Sequence, residues 1–391
     1  MDVLGRPERH YPAIHIGGTN GKGSTCAFLA AELGARGFRV GLYTSPHLVS
    51  VCERVQVDGV PISADAFSEW VTFLQPHIER MDASFFEVMT AIGFADLAAR
   101  GVDIAIVEVG LGGRLDSTNV LTPLVSAVTK IALEHTDYLG NDLLGIAREK
   151  AGIAKPGVPF VTGEPNPEVR EELAREAKRR GAPRIVAVES TRAPVPGVRL
   201  GLGGPHQWAN AWVADGVLRE LPAPFAAPAT PRPAGATVPE SFAGAHAPGR
   251  FERRGRWIFD VAHNPDGARV LKQALLAEPP PRPVHLLLGI LGDKDYLEMI
   301  RELAVVADRL VFTVAPSAPA KRRWDLYALE QKLAITIKLE GPARPMEFFF
   351  EPDFARALEL VAEGVGTAVV TGSFHTVGDA LARLPGFAPV G

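Results

Sequence analysis

Residues 12–25 read PAIHIGGTNGKGST, which predicts a strand, a glycine-rich loop and a helix in direct succession. The apolar residues before the glycines are typical of a buried strand, and the apolar spacing from Cys26 to Leu33 is typical of a helix. Glycines let backbone N–H groups approach phosphate oxygens closely, and the N-terminus of the following helix adds partial positive charge. The stretch therefore predicts a phosphate-binding loop.

The loop also offers side chains to a nucleotide. Lys22 is expected to reach the terminal phosphates, and Ser24 or Thr25 is expected to hold a Mg²⁺ ion. The spacing departs from G-x-x-x-x-G-K-S/T, because a glycine stands between the lysine and the serine. A tight glycine-rich turn without a ligand is the alternative. The candidate ATP-binding positions of the loop are Thr19, Asn20, Gly21, Lys22, Gly23 and Ser24.

Length and composition limit the class of protein. A chain of 391 residues is too long for one typical domain, so two are expected. The net charge of −4 argues against nucleic acid as the main partner. No signal pattern and no apolar run of about 18 residues is present, and the 2 cysteines are typical of a reducing compartment. We therefore expect a cytoplasmic protein with no nucleic-acid or membrane partner.

Strands and helices alternate between residues 12 and 220, which predicts an α/β fold with a mostly parallel sheet. Apolar runs such as 104–107 have the composition of strands that are buried on both faces. The predicted strands are 13–17, 39–44, 103–109, 124–131, 158–162 and 184–188, and the predicted helices are 24–36, 64–80, 85–100, 142–153, 167–180 and 206–220.

A second α/β pattern follows an irregular connection. Residues 221–248 are rich in Pro and Ala and lack helical periodicity, which predicts a domain boundary near 245–249. We expect a P-loop ATPase domain at 1–245 and a smaller, Rossmann-like α/β domain at 249–391. The predicted strands of the second domain are 256–261, 284–288, 309–314 and 367–371, and its predicted helices are 266–277, 295–307, 325–333 and 352–364.

Candidate metal ligands follow three strands of the first domain. Glu108 closes an apolar strand, as a Walker B-like carboxylate does, and His135 follows the next strand, so the two could form a second metal site. Ser45 follows another strand, where a polar turn around Pro46 is the alternative. Lys150, judged by its helix alone, is a solvated lysine.

Other residues have both a structural and a functional interpretation. Glu87 fits a capping box at the start of its helix, and Phe86 either lines an aromatic pocket or packs in the core. Asp116 follows a glycine-rich stretch and is placed to touch a ligand. Gln207 and Asn210 lie one helical turn apart, so they either read an adenine edge or cap a helix.

Polar residues of the second domain gather at its strand-to-helix turns. Asp260 and His263 follow one strand, Ser373 follows another, and Arg250 precedes the first. Parallel strands bring their carboxyl ends to one edge of a sheet, where α/β proteins bind ligands. We therefore expect a site at this edge that faces the first domain.

Taken together, these motifs resemble the folylpolyglutamate synthase/dihydrofolate synthase family, a branch of the ATP-dependent Mur ligases. The matching segments follow the family order from residue 17 to residue 373. They are GGTNGKGST, YTSPHL, FFEVMT, EVGLGGRLDSTN, EHTDYLG, REKAGIAK, HQWANA, PGRFE, DVAHNP and TGS. An ordered series of this length is far more specific than the phosphate loop alone.

The resemblance implies a role for each candidate residue. Lys150 would carry a carbamate near a second Mg²⁺. Phe86 and Glu87 would lie where a pterin-bearing substrate binds. The resemblance further implies Ser24, Ser45, Glu108 and His135 as metal ligands, Gln207, Asn210, Arg250 and Asp260 as ATP-binding residues, Arg54, Asp116, His263 and Ser373 at the glutamate end, and Lys22, Lys150, Asp260 and His263 as the catalytic set. Arg54 alone would fit a solvated strand residue.

The implied reaction is ATP-dependent ligation through an acyl phosphate, with ATP and Mg²⁺ as cofactors and with folate or dihydropteroate and L-glutamate as substrates. A monomer is expected. Two alternatives stay open. Another Mur-type amino-acid ligase is disfavoured, because the phosphate loop begins near residue 17 and an N-terminal uridine-nucleotide domain is not expected. A non-catalytic P-loop protein would have no need of Arg250, Asp260 or Ser373.

Overall fold

The structure is a computed structural model that describes residues 1–134, 140–226, 238–340, 346–384 and 386. The chain forms two compact units, of which the first comprises Met1–Gly201 and Gln207–His246. The second comprises Leu202–His206 and the chain from residue 247 onward. The sequence-based limits of 1–245 and 249–391 place 202–206 in the first domain. The segment belongs instead to the second unit, because the backbone of Gly203 packs directly against Phe251.

The first unit is built on an eight-stranded sheet with the order β4-β3-β2-β5-β1-β6-β7-β8. Its pairings are parallel except those of β3 with β2 and β4. The strand that precedes the phosphate loop therefore lies in the middle of the sheet. The strands are β1 Ala13–Gly17, β2 Val40–Tyr43, β3 Val55–Val57, β4 Val60–Pro61, β5 Ile104–Glu108, β6 Val125–Val128, β7 Phe160–Thr162 and β8 Ile185–Ala187.

Helices of the first unit begin at polar caps that the sequence supplies. Ser63, Ser84, Asp142 and Asn166 each accept a hydrogen bond from a backbone N–H of the first turn. No helix among the described residues is long and apolar enough to cross a membrane. The helices are α1 Lys22–Ala35, α2 Ala64–Met81, α3 Phe85–Ala99, α4 Leu143–Ala151, α5 Pro167–Arg179 and α6 Gln207–Glu220.

Two predicted boundaries differ around the phosphate loop, and each has a local cause. Helix α1 begins at Lys22 rather than at residue 24, because Gly21 has a φ of 92° and turns the chain into the helix. Strand β6 ends at Val128 rather than at residue 131. Thr129 directs its Oγ1 at the carbonyl oxygen of Asn20, 2.7 Å away, so the chain leaves the sheet to meet the loop.

The second unit is built on a six-stranded sheet with the order β13-β12-β11-β14-β10-β9, in which only the pairing of β9 with β10 is antiparallel. The predicted α/β class, a P-loop sheet followed by a smaller α/β unit, is confirmed. The strands are β9 Glu252–Arg254, β10 Trp257–Phe259, β11 Val284–Leu288, β12 Arg309–Phe312, β13 Glu347–Phe350 and β14 Thr367–Thr371, and the helices are α7 Pro265–Ala277, α8 Tyr296–Ala304, α9 Leu326–Glu340, α10 Phe354–Ala362 and α11 Phe374–Arg383.

Candidate active site

The phosphate loop is shaped by close backbone packing at one glycine. Gly18 has a φ of 133°, and a Cβ at this position would overlap Oγ1 of Thr129. The loop then enters α1 directly. An α-helix leaves its first N–H groups without an intrahelical acceptor, so the start of α1 offers Lys22, Gly23 and Ser24 to an anion.

Lys22, Glu108 and Ser45 come from three different elements and meet beside the loop. The Nζ of Lys22 donates to the carbonyl oxygen of Thr19 at 3.0 Å and lies 3.9 Å from Oε1 of Glu108. The Glu108 residue is 3% exposed, and its Oε2 accepts a hydrogen bond from the backbone N–H of Ser45 at 3.2 Å. A buried carboxylate and a lysine therefore stand together at the carboxyl edge of the central strands.

Lys150 of α4 also reaches the phosphate loop. It is buried, and its Nζ donates to the carbonyl oxygen of Gly18 at 3.0 Å, so the interpretation as a solvated lysine is wrong. Burial, together with the nearby Lys22 ammonium, lowers the pKa of the Lys150 amine to about 7. The predicted ligand His135 lies outside the described residues, while Glu134 just before it is buried.

The side chain of Thr19 binds backbone groups of Ala132. Its Oγ1 lies 3.1 Å from both the backbone N and the carbonyl oxygen of Ala132, and its backbone N–H donates to Lys130 at 2.7 Å. Asn20 pairs with Lys130 in an antiparallel bridge. The phosphate loop is thus tied to the segment that leads toward residue 135.

Gln207 and Asn210 lie in the first turn of α6, next to Gly21 of the phosphate loop. The Nδ2 of Asn210 donates to Oε1 of Gln207 at 2.8 Å, and Gln207 is buried. The Oδ1 of Asn210 lies so close to Gly21 that a Cβ there would overlap it. The two amides are therefore held against the phosphate loop.

The Asp116 carboxylate accepts hydrogen bonds from four neighbouring donors. Oδ2 accepts hydrogen bonds from the backbone N–H groups of Gly110 at 3.1 Å and Leu111 at 2.8 Å. Oδ1 accepts from the backbone N–H of Thr118 at 3.0 Å and from the Thr118 hydroxyl. A carboxylate has about four acceptor positions, so these four donors satisfy it. Asp116 shapes the loop after β5, and its geometry does not support the predicted ligand contact.

Arg54 is buried at the end of a short 3₁₀ helix, Val51–Arg54, and is not a solvated strand residue. Its Nε donates to Nδ1 of His47 at 3.0 Å, and its guanidinium lies 5.3 Å from the centre of the Phe85 ring. Burial lowers the pKa of the Arg54 guanidinium. The sequence placed His47 at the carboxyl end of a strand and Phe85 in a possible aromatic pocket, but it gave no sign that either would contact Arg54.

Phe86 and Glu87 occupy the first turn of α3. The Phe86 ring lies directly against Gly110, where a Cβ would overlap it. Glu87 forms the predicted capping box, since its Oε2 accepts from the backbone N–H of Ser84 at 2.9 Å and its own N–H donates to Oγ of Ser84 at 3.3 Å. Glu87 is exposed and satisfied by the cap.

Asp260 and Ser373 of the second unit bind neighbouring backbone groups. Asp260 accepts from the N–H groups of Phe251 and Ala262, each at 2.9 Å. Burial raises the pKa of the Asp260 carboxyl to about 6, against the opposing effect of nearby positive charge. Ser373 caps α11 by accepting from the N–H of Thr376 at 3.1 Å, and it donates to Gly289 at 2.8 Å.

Arg250 and His263 are brought together by Phe374, which sequence reasoning did not single out. The Arg250 guanidinium lies 5.1 Å from the centre of the Phe374 ring, and the His263 ring lies 5.4 Å from it. Nδ1 of His263 lies 2.9 Å from the carbonyl oxygen of Val261, which leaves Nε2 on the opposite side of the ring. These two side chains are the functional groups that this edge presents.

The residues near the loop have the chemistry of a magnesium site. Mg²⁺ prefers oxygen ligands and is usually bound by one or two carboxylates together with phosphates and water. The Glu108 carboxylate and the hydroxyls of Ser24 and Ser45 fit this preference. Across the described parts of the chain, no group of three or more His, Cys, Asp and Glu residues is placed to hold a metal. A site here would therefore depend on nucleotide oxygens.

Comparison with known protein families first identifies the class of enzyme. Residues 249–374 match the model for the Mur ligase glutamate ligase domain. A fold with a phosphate loop in one unit and this domain in the other is that of an ATP-dependent ligase of the Mur type.

Relatives that match over most of the chain then identify the family. The dihydrofolate synthase/folylpolyglutamate synthase of Mycobacterium tuberculosis is 38% identical over 354 residues, which cover 80% of this chain and 72% of the relative. The chain therefore belongs to the folylpolyglutamate synthase/dihydrofolate synthase family.

Solved structures agree with this assignment. M. tuberculosis folylpolyglutamate synthase complexed with ADP has a TM-score of 0.84 and 33% identity, and the match covers 100% of this chain and 93% of that one. E. coli FolC in complex with DHPP and ADP has a TM-score of 0.79 and 31% identity, with coverages of 97% and 90%. The predicted family, the α/β architecture and the ATP-dependent ligase activity are confirmed.

Proposed function

We propose that this protein adds L-glutamate to the carboxylate of folate or dihydropteroate, using ATP to form an acyl phosphate. The observation that carries the proposal is the placement of Lys22 3.9 Å from the buried Glu108 carboxylate at the phosphate loop, in a chain whose residues 249–374 match a glutamate ligase domain. Lys22 supplies positive charge for the transferred phosphoryl group, and Glu108 supplies a carboxylate for a metal ion. The match to a glutamate ligase domain indicates glutamate as the amino acid that is added.

Lys22 and the start of α1 would stabilise the phosphoryl group during transfer. The substrate carboxylate attacks the γ-phosphorus of ATP, the bond to the β–γ bridging oxygen breaks, and ADP leaves. The Lys22 ammonium and the N–H groups of Gly23 and Ser24 are placed to hold the oxygens on which charge collects. The amino group of glutamate then attacks the acyl carbon, and phosphate leaves.

Mg²⁺ would be held by Glu108, Ser24 and Ser45, with His135 as the further candidate outside the described residues. When bound, the ion neutralises phosphate charge. The part of this chain is to orient the carboxylate, which the N–H of Ser45 does by donating to Glu108 at 3.2 Å.

Lys150 is proposed to carry a carbamate. A carbamate forms when a neutral amine attacks CO₂ and loses a proton, and a Lys150 pKa of about 7 keeps much of the amine neutral at physiological pH. Modification would replace an amine next to Lys22 with an anion that attracts the Lys22 ammonium. The buried position beside Gly18 would keep the group at the phosphate loop.

Substrate contacts are proposed for the remaining candidate residues. Gln207 and Asn210 would read the adenine edge, and Arg250 would reach ATP. Arg54 and His263 would bind carboxylates of the acceptor or of glutamate, and Phe86, with Phe85 beside it, would pack on the pterin. By contrast, Asp116, Asp260, Ser373 and Glu87 would act by shaping turns.

A product assay tests the function. Purified protein is given ATP, Mg²⁺ and glutamate with either dihydropteroate or a reduced folate, and the products are identified by mass. Glutamate-dependent release of phosphate with a product heavier by one glutamate is expected with at least one acceptor. ATP hydrolysis without such a product would refute the proposal. The two acceptors separate dihydrofolate synthase from folylpolyglutamate synthase activity, whereas the monomeric state and the cytoplasmic location stay predictions.

A further inference from the structure

A chain of buried hydrogen bonds joins the central strand to the loop after β5. His15 of β1 is completely buried, and its Nε2 lies 2.8 Å from Oγ1 of Thr118. Thr118 in turn bonds to Asp116. The steps of the reaction described above make no use of this histidine, although it stands two residues before the glycines of the phosphate loop.

The direction of the hydrogen bonds follows from the donors available. A carboxylate only accepts, so the single hydroxyl proton of Thr118 goes to Asp116. The hydroxyl oxygen then accepts from His15, which places the imidazole proton on Nε2. Burial, together with the nearby Lys155 ammonium, lowers the pKa of His15 to about 3. The imidazole is therefore a fixed neutral donor under working conditions.

The other end of the chain acts on the backbone next to the candidate metal ligand. Asp116 holds the N–H groups of Gly110 and Leu111 with its Oδ2. Gly110 is two residues after Glu108 and lies against the Phe86 ring. A shift of this backbone would move the Glu108 carboxylate and the surface on which Phe86 rests.

We propose that His15 is a positioning residue for the ligation reaction, acting through Thr118 and Asp116 on the backbone at Gly110 and Leu111. It contacts no substrate. It orients the aspartate that holds the loop between Glu108 and Phe86. The inference rests on the proposed function for the roles of Glu108 and Phe86, whereas the hydrogen-bond chain stands on the geometry alone.

A second buried chain on the same segment supplies a matched control. The hydroxyl of Tyr43 on β2 lies 3.2 Å from Oγ1 of Thr90, which lies 3.0 Å from Oγ of Ser117. This chain begins at a buried hydroxyl, ends on the partly buried Ser117 and does not bond to Asp116. Tyr43→Phe therefore removes one buried hydroxyl without touching the proposed path.

The test compares variants that break or keep the donor. His15→Phe keeps the ring and removes the donor, His15→Gln keeps a donor at the position of Nε2, and Thr118→Val breaks the chain at its middle. Loss of a residue that orients a site ligand lowers activity by roughly 10–100-fold, so we expect this drop in kcat for His15→Phe and Thr118→Val. His15→Gln should recover most of the loss, and the His15→Phe/Thr118→Val double variant should be no slower than either single one.

A readout that does not require activity completes the experiment. Hydrogen–deuterium exchange of the peptide that spans Gly110 and Leu111 should speed up in His15→Phe and Thr118→Val, and stay at the wild-type rate in Tyr43→Phe. Lower melting temperatures with unchanged kcat and unchanged exchange would overturn the proposal, as would additive losses in the double variant. If wild-type protein makes no ligation product, the proposed function fails, and the exchange rates alone decide the hydrogen-bond chain. Should His15→Phe fail to fold, Thr118→Val and Thr118→Ser give the same comparison.

Discussion

The carboxyl edges of the two sheets are made from the same element, a parallel strand that turns into a helix, and they use polar side chains differently. In the first unit, Lys22 lies 3.9 Å from Glu108, and Lys150 bonds to the loop carbonyl of Gly18. In the second, the side-chain oxygens of Asp260 and Ser373 accept hydrogen bonds from neighbouring backbone N–H groups. A polar residue at a strand end is therefore available to a ligand only where the turn itself does not require it.

This difference predicts two kinds of mutational effect. Substitution of Lys22 at the first edge should change the rate of reaction and leave stability largely intact, because this side chain makes one hydrogen bond and one long ion pair with the fold. Substitution of Ser373 at the second edge should change stability and leave the kinetic constants largely intact, because its hydroxyl bonds to neighbouring groups of the turn. Four experiments test this difference, in decreasing order of the predicted change.

Lys22→Ala should lower kcat by at least about 100-fold, the effect of losing one strong transition-state donor. The melting temperature should stay at the wild-type value, because the ammonium contributes one hydrogen bond to Thr19 and a 3.9 Å ion pair. Glutamate-dependent product formation and thermal unfolding measure the two quantities. Lys178→Ala, an exposed lysine of α5, is the matched control. Near-normal turnover in Lys22→Ala would break the contrast.

Lys150→Met should change how stability depends on pH. The amine has a pKa of about 7 when folded against an ordinary lysine value of 10.5, so between these values the unfolded chain binds more protons. The free energy of unfolding from this group then rises with pH, by up to about 1.4 kcal/mol per pH unit. Methionine lacks this rise. Urea unfolding of both proteins in CO₂-depleted buffer near pH 7 and near pH 9 measures it, and parallel pH profiles would contradict the buried neutral amine.

Ser373→Ala should lower the free energy of unfolding by about 1 kcal/mol, the typical cost of a lost N-cap. The KM for glutamate should stay within the error of the wild-type value, because the hydroxyl bonds to Thr376 and Gly289. Ser373→Thr, which keeps a capping hydroxyl, is the control. A large rise in KM for glutamate without loss of stability would assign Ser373 to a ligand.

Glu87→Ala should give the smallest effect, a decrease of about 0.5 kcal/mol in the free energy of unfolding, because its capping box is exposed. The hydrogen bonds from Ser84 lower the pKa of Glu87. Its contribution is therefore present at neutral pH and is lost as the pH falls through that lowered pKa. Thermal unfolding of Glu87→Ala and Glu87→Gln near pH 7 and near pH 3 tests this. A higher KM for the pterin substrate in Glu87→Gln would show a role beyond the cap.

Local sequence was sufficient where periodicity and caps decide the structure. Strand β1, the glycine-rich loop after it and the helix starts at Ser63 and Ser84 were all predicted from neighbouring residues. Strands β3, β4, β9 and β13 were not predicted. Each has two to four residues, and such short strands are fixed by their pairing partners rather than by a pattern of their own. Helix α11 was missed because its cap looked like a ligand residue.

Side-chain partners were the part that sequence could not give. Glu108 is the last residue of β5, Asp116 lies in the glycine-rich stretch that follows it, and nothing in the local sequence tells which of the two carboxylates is free for a site. Tertiary structure does, since Glu108 faces Lys22 while Asp116 is satisfied by four donors. Arg54 was placed in solvent by its strand context, yet the fold buries it beside His47.

The contact between Gly21 and Asn210 has a consequence for how nucleotide preference can change. Any side chain at Gly21 would displace the Asn210 amide, and any larger side chain at position 210 would press on the turn that starts α1. With the proposed contact of Asn210 to the adenine edge, base selectivity and binding of the triphosphate therefore depend on one shared piece of geometry. An attempt to redirect the enzyme from ATP to another nucleoside triphosphate by replacing Asn210 should disturb phosphate binding at the same time, so variants with altered base preference will need a second change in the loop before they turn over well.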